Sequence, residues 1–164
     1  MKKETPMLKE ILTNHMLIAP IVSWAVAQVL KIFTYLIVEK KFVLKRMISD
    51  GGMPSAHSAT VISLAVLSGW TQGFDSAAFA IAMILAVVIM RDAVGVRRES
   101  GVNASIIKLL AKKSNSNLKE GEEHIKTDML KELVGHTPLQ VACGCVVGIA
   151  VSVLYILIGA IPMG

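Results

Sequence analysis

Four stretches of the chain carry no Asp, Glu, Lys or Arg: Ile11 to Leu30, Gly51 to Phe74, Ser76 to Met90 and Thr137 to Gly164. A helix that crosses a bilayer needs roughly 20 apolar residues, with a lower bound near 17. The first and last stretches meet that length alone. The middle two are separated by little more than Asp75, and they read as two short spans joined by a tight turn at Gly69-Trp70-Thr71-Gln72-Gly73-Phe74-Asp75. Backbone groups in lipid must pair within their own segment, so each stretch is expected to be helical. The pattern predicts an all-α integral membrane bundle of about four transmembrane helices, over 14–38, 55–71, 75–91 and 139–161, forming one domain of 164 residues. A basic connector from Glu39 to Asp50 and a polar segment over 92–136 join them.

Inside the polar segment, Val102 to Leu110 has apolar residues at helical spacing, and Leu118 to Val134 repeats the mixture after the breaker Ser114-Asn115-Ser116-Asn117. Two readings stand: amphipathic helices lying on the membrane or covering the bundle, and solvated helices that only connect.

Composition agrees with a membrane protein. Hydrophobic residues make up 54% of the chain and charged residues 18%, with a mean hydropathy of +0.62, which excludes an ordinary soluble domain. The start Met1-Lys2-Lys3 with Ala25-Val26-Ala27 resembles a signal peptide and its cleavage site, but apolar character continues through Val38, so a retained first span is expected. Cys143 and Cys145, two apart in the last stretch, read as small packing residues and not as a metal or redox pair.

The net charge of +5 matters less than its distribution. The connector carries four basic residues and the segment from Arg91 to His136 nine, against three in the N-terminal tail. The positive-inside bias therefore predicts a multi-pass cell-membrane protein with connector and polar segment on the cytoplasmic face. The bilayer and its anionic headgroups are the expected partners; no nucleic-acid partner is expected, and oligomerisation stays open.

That topology brings three polar motifs to one membrane face. Gly51-Gly52-Met53-Pro54-Ser55-Ala56-His57-Ser58-Ala59 opens the second span, Arg91-Asp92-Ala93-Val94-Gly95-Val96-Arg97-Arg98 closes the third, and Gly135-His136-Thr137-Pro138 opens the fourth. Gly51 and Gly52 permit close backbone approach, and Pro54 with Ser55 marks a helix start whose N–H groups attract an oxyanion. His57 in the first helical turn is placed to donate a proton. The other reading of this motif is an ordinary cap in which Ser55 satisfies backbone donors. Arg97 and Arg98 can fork onto phosphate oxygens or anchor the span end. Asp92 is suited to holding an arginine or a histidine proton, and Glu132, four residues before His136, to orienting that ring. Lys31 lies inside the first span, three residues after Gln28, and either snorkels outward or meets an anion in a polar cavity.

Pro54-Ser55-Ala56-His57 resembles the Pro-Ser-Gly-His motif of type-2 phosphatidic acid phosphatases and vanadium haloperoxidases. The wider set is similar to the divergent branch of that superfamily. It comprises Ala27-Gln28 with Lys31, GGMPSAHSA, Asp92-Ala93 with Gly95-Val96-Arg97-Arg98, and Leu130 to Glu132 with Gly135-His136-Thr137-Pro138, and it runs from about Ala27 to Gly148. The resemblance implies a helical membrane phosphatase acting through a phosphohistidine, with no metal or other cofactor. His136 would be the nucleophile and His57 the general acid. Ser55 with Gly51 and Gly52 would form the phosphate cradle, and Lys31, Arg97 and Arg98 a cationic clamp. The chain departs from the parent pattern in two places. The Arg-Pro pair of the first motif is absent, and Leu130 and Gln140 stand where the third motif has Arg and Asp. Arg97 or Arg98, and Glu132 or Asp92, are candidates to replace them. Two function classes stay open: a lipid phosphatase, and a non-catalytic membrane protein that binds anionic headgroups or scaffolds a partner. An ion or solute pathway around Gln28 and Lys31 is a third, less supported by a single deep ionisable group.

Overall fold

The computed structural model describes residues 6–39, 52–116 and 135–159, which form six helices with no strand among them. In chain order these are α1 (Pro6–Leu12), α2 (His15–Glu39), α3 (Ala56–Gln72), α4 (Ala77–Val94), α5 (Val96–Asn115) and α6 (Pro138–Leu157). Three stretches are long and apolar enough to cross a membrane: His15–Ile37, the near-continuous Ala77–Asn115, and Pro138–Leu157. The chain is a helical membrane bundle.

Local chemistry explains where the helices begin. Ser55, Ser76 and Thr137 are extended residues whose hydroxyls accept a backbone N–H from the first turns of α3, α4 and α6. At α6 the capping is reciprocal, because the Gln140 side chain also accepts the Thr137 N–H. Between α3 and α4 the chain turns at Gly73, whose φ of +90° suits glycine. The expected turn from Gly69 to Asp75 is thereby shortened, since α3 runs on through Gln72. α1 falls in a stretch read from the sequence only as a basic tail, and α5 begins six residues ahead of the amphipathic run expected from Val102. The connector 40–51 and the second expected amphipathic run, 118–134, lie outside the described residues.

α3 is the centre of the bundle and packs against α2, α4 and α6. Its 17 residues span only about 26 Å, short of a hydrocarbon core of about 30 Å. Neighbours shield it from lipid, so it can carry serines at buried positions: Ser58, Ser63 and Ser68. α6 approaches it through Gly144, Gly148 and Ser152, spaced one helical turn apart. A Cβ on Gly144 would stand 2.4 Å from the Ser55 carbonyl oxygen, and one on Gly148 2.6 Å from that of Ala59. Ser152 Oγ lies 2.8 Å from Ser63 Oγ. On the other side, Ser23 of α2 donates to the Ala59 carbonyl at 3.2 Å, and Ala27 packs with Ala56 and Ala59. Small side chains and shared hydroxyls of this kind hold helices together in lipid, where apolar contact alone gains nothing over contact with acyl chains. At the far end, His15 Nδ1 meets the Tyr155 hydroxyl at 3.1 Å, which ties α2 to α6. Large residues such as Ile21, Trp24, Ile81, Ile84 and Leu154 face outward.

Replacing Gly148 by Val forces α6 away from α3. Unfolding in detergent should show a loss of about 1–3 kcal/mol, the usual cost of overpacking, whereas Leu154→Ala on the outer face should leave the melting temperature nearly unchanged.

Candidate active site

Two backbone hydrogen bonds join the three motifs. The Ser55 N–H donates to the Gln140 carbonyl at 3.0 Å, and the His136 N–H donates to the Ala93 carbonyl at 3.0 Å. Gly135 makes the second approach feasible, since a Cβ there would lie 2.3 Å from the Arg98 amide nitrogen. The start of α3, the α4–α5 break and the turn into α6 therefore meet at one end of the bundle.

His57 sits in the first turn of α3 and is exposed, while His136 is 3% exposed. Their rings face each other edge to face, with centroids 6.2 Å apart and planes inclined at 60°. His136 Nδ1 lies 3.3 Å from Gln140 Oε1. The same oxygen accepts the Thr137 N–H at 3.0 Å, which fixes the amide's orientation, because a nitrogen there would oppose a donor. Nδ1 must therefore carry the proton in the neutral ring, and the lone pair resides on Nε2. Gln140, read from the sequence only as a missing acid, is thus the residue that orients His136. Its signal was available in its position: four residues after His136, and third in a helix opened by Thr137, where a capping box turns the side chain back.

Lys31 is 2% exposed. It lies on the turn of α2 that touches the motif loop, since Thr34 Oγ1 bonds both the Lys31 carbonyl at 2.9 Å and the Met53 carbonyl. One turn earlier, Gln28 Oε1 is buried with no hydrogen-bond partner. α2 thus carries a buried lysine and a buried amide oxygen one turn apart.

The remaining expected residues take other positions. Ser55 is fully buried, and its Oγ accepts from Ser58 N at 3.4 Å and Ser58 Oγ at 3.0 Å, the capping arrangement. Gly52, at φ +100°, packs under Tyr35, whose hydroxyl would stand 2.5 Å from an added Cβ. Asp92 Oδ2 accepts from Arg97 Nε at 2.8 Å across the break at Gly95, with both side chains about half exposed. Such a pair contributes under ~1 kcal/mol to stability, so its effect is to aim Arg97 rather than to hold the fold. Arg98 is exposed and lines a surface cavity of about 310 Å³ with Val94, Glu99, Val102 and Asn103. Gly51 and Glu132 lie outside the described residues.

A family model described as the divergent PAP2 family matches residues 12–151, a range that contains both histidines, Lys31 and the arginine pair. The Bacillus subtilis (strain 168) protein described as uncharacterized membrane protein YuiD is 38% identical over 151 residues, covering 88% of this chain and 96% of its own. No solved structure matches the chain.

The role of Gln140 can be read directly from the nitrogen chemical shifts of histidine-labelled protein. At a pH where the ring is neutral, His136 should carry its proton on Nδ1, and Gln140→Leu should move the population toward Nε2–H. That variant should also lose about 1 kcal/mol of stability through the broken capping box. A proton on Nε2 in the unsubstituted protein would contradict the assignment.

Proposed function

The chain belongs to the divergent PAP2 family, and on that premise we propose that it hydrolyses a phosphomonoester or diphosphate on a membrane lipid. The observation that carries this reading is the imidazole pair, one ring buried and one exposed, at 6.2 Å between centroids. Attack on phosphorus needs a nitrogen at roughly 3–3.5 Å, and proton donation to the leaving oxygen needs about 2.6–3.2 Å. Two rings that face each other across a gap of this order suit the opposite ends of one phosphoryl transfer, one on the phosphorus and one on the leaving oxygen.

In this reading the Nε2 lone pair of His136 attacks phosphorus, the bond from phosphorus to the lipid oxygen breaks, and protonated His57 supplies that oxygen with its proton. Water then attacks the phosphohistidine, His57 takes the water's proton, and the N–P bond breaks to release phosphate. Lys31 is the deep cation that balances the charge gathering on the phosphoryl oxygens, in a site where solvent screens it little. The approaches of Arg97 and Arg98 keep a basic rim around the entrance.

Gln140 also favours a second reading. A neutral amide orients His136 but does not stabilise its charged forms as a carboxylate would, which suits a protein that binds a phosphate headgroup or scaffolds a partner without turnover.

Purified protein in detergent or lipid discs should release phosphate from phosphatidic acid, phosphatidylglycerophosphate or a polyprenyl diphosphate with no added metal. His57→Ala and His136→Ala should each slow turnover at least about 100-fold, as expected for loss of a general acid or of the nucleophile it serves. Turnover that survives both changes would remove the catalytic assignment. Headgroup binding that persists in the double variant, with no release by the unsubstituted protein, would decide for the second reading.

A further inference from the structure

We infer that α5 is an interfacial helix that docks on the headgroup layer of an anionic lipid leaflet, its apolar arc turned toward the acyl chains and its basic residues on lipid phosphates. α4 lies within one of the stretches able to cross a bilayer and ends at Val94, and α5 starts two residues later, beyond the break at Gly95. α5 therefore starts where α4 leaves the hydrocarbon, at the end of the bundle that holds the two histidines.

The side chains of α5 agree with that depth. Val102, Ile106, Leu109 and Leu110 recur at i, i+4, i+7 and i+8, which places them on one arc, and they are 48% to 69% exposed. Gly101, Ala104 and Ala111 are the buried positions of the helix. Four large aliphatic side chains on one exposed arc are costly in water, and they are what an interfacial helix buries by roughly 5–10 Å at the boundary of headgroups and acyl chains.

Charge selects the leaflet. α5 contains five basic residues against the single acid Glu99, and Arg98 near its start with Lys112 and Lys113 in its last turn are the ones offered to lipid phosphates. Asp92 offsets Arg97 in part. Six charged residues within a helix of 20 exclude it from the hydrocarbon. Near an anionic surface each added Lys or Arg contributes about 1 kcal/mol. Lys113, on the same side as the apolar arc, can snorkel from it to phosphate level. The cavity lined by Arg98, Glu99, Val102 and Asn103 opens at the N-terminal end of this arc, level with the α4–α5 break.

Docking also bears on the histidine pair. The backbone of Arg98 presses on Gly135, and the Ala93 carbonyl holds the His136 N–H. The start of α5 and the turn that carries His136 are therefore in backbone contact. The docking itself requires no hydrolysis.

Full-length protein in a Cys143→Ser, Cys145→Ser background can be spin-labelled singly after Ile106→Cys, Leu109→Cys or Lys112→Cys and placed in lipid discs. Power saturation with oxygen and with a water-soluble nickel chelate then reports depth. In discs of phosphatidylcholine with phosphatidylglycerol, labels from Ile106→Cys and Leu109→Cys should favour oxygen and lie below the phosphates, with that from Lys112→Cys above them. Charge reversal by Lys112→Glu with Lys113→Glu, read from the Leu109→Cys label, should raise that label toward water. Equal depth in phosphatidylcholine alone, free access of the chelate at Leu109→Cys, or shielding from both reagents, as beneath a second copy or another protein, would each overturn the inference.

Discussion

In hydrocarbon the pairing of α3 with α6 cannot draw on the hydrophobic effect, because acyl chains are as apolar as leucine. It rests on how near the two backbones come. Gly144 and Gly148 leave the Ser55 and Ala59 carbonyls where a single methyl group would already collide. That approach lets the Ser55 N–H reach the Gln140 carbonyl, and this bond sets the height of the α3 start against the α6 start. Both histidines are within four residues of it. A displacement of α6 by the width of a side chain would part the rings while leaving every helix intact. The catalytic proposal thus depends on residues that carry no chemistry.

The same packing explains why α3 is short and rich in serine. A helix facing lipid on most of its surface must be apolar along its length in lipid, as α4 is from Ala77 to Met90, with only Ala82, Ala86 and Ala93 of the helix buried. A helix enclosed by three others is free of that demand, and hydroxyls of its neighbours donate to it, Ser23 to the Ala59 carbonyl and Ser152 to Ser63 Oγ. Each such bond is worth only about 0.6 kcal/mol in a membrane. Their larger effect is to fix rotation and register, so that the face of α3 bearing His57 is turned to the α6 turn.

Charge-free runs were enough to read the helical membrane bundle from the sequence, because lipid imposes a length and a composition that few soluble folds share. The same runs also carried the meeting of the three motifs, which follows from helix direction alone. Partner choice within the site was harder to read. Asp92 and Arg97 are five residues apart, and only the break at Gly95 brings them into contact. Ser55 had two readings in the sequence, and its complete burial gives it the cap geometry. Gln140 looked like a loss when compared with an acid at the same position, yet its oxygen serves Nδ1 of His136 and the Thr137 N–H together. A pattern of residue types records charge well and records shared hydrogen bonds poorly.

The two histidines differ in a way that bears on chemistry. His136 is buried, hydrogen-bonded through Nδ1 and held by its own backbone N–H, so its orientation is settled before any ligand arrives. Little reorganisation then remains for a nucleophile, whose angle of attack is the most demanding variable in phosphoryl transfer. His57 is exposed in the first turn of α3, where water can recharge the proton donor that the proposed reaction requires. A proton donor must be recharged, and a site that enclosed both rings would impede that step. The amide oxygen of Gln140 adds orientation to the His136 ring without adding charge. In the proposed reaction Lys31, buried on the turn of α2 that meets the motif loop, is the basic side chain assigned to the phosphoryl oxygens.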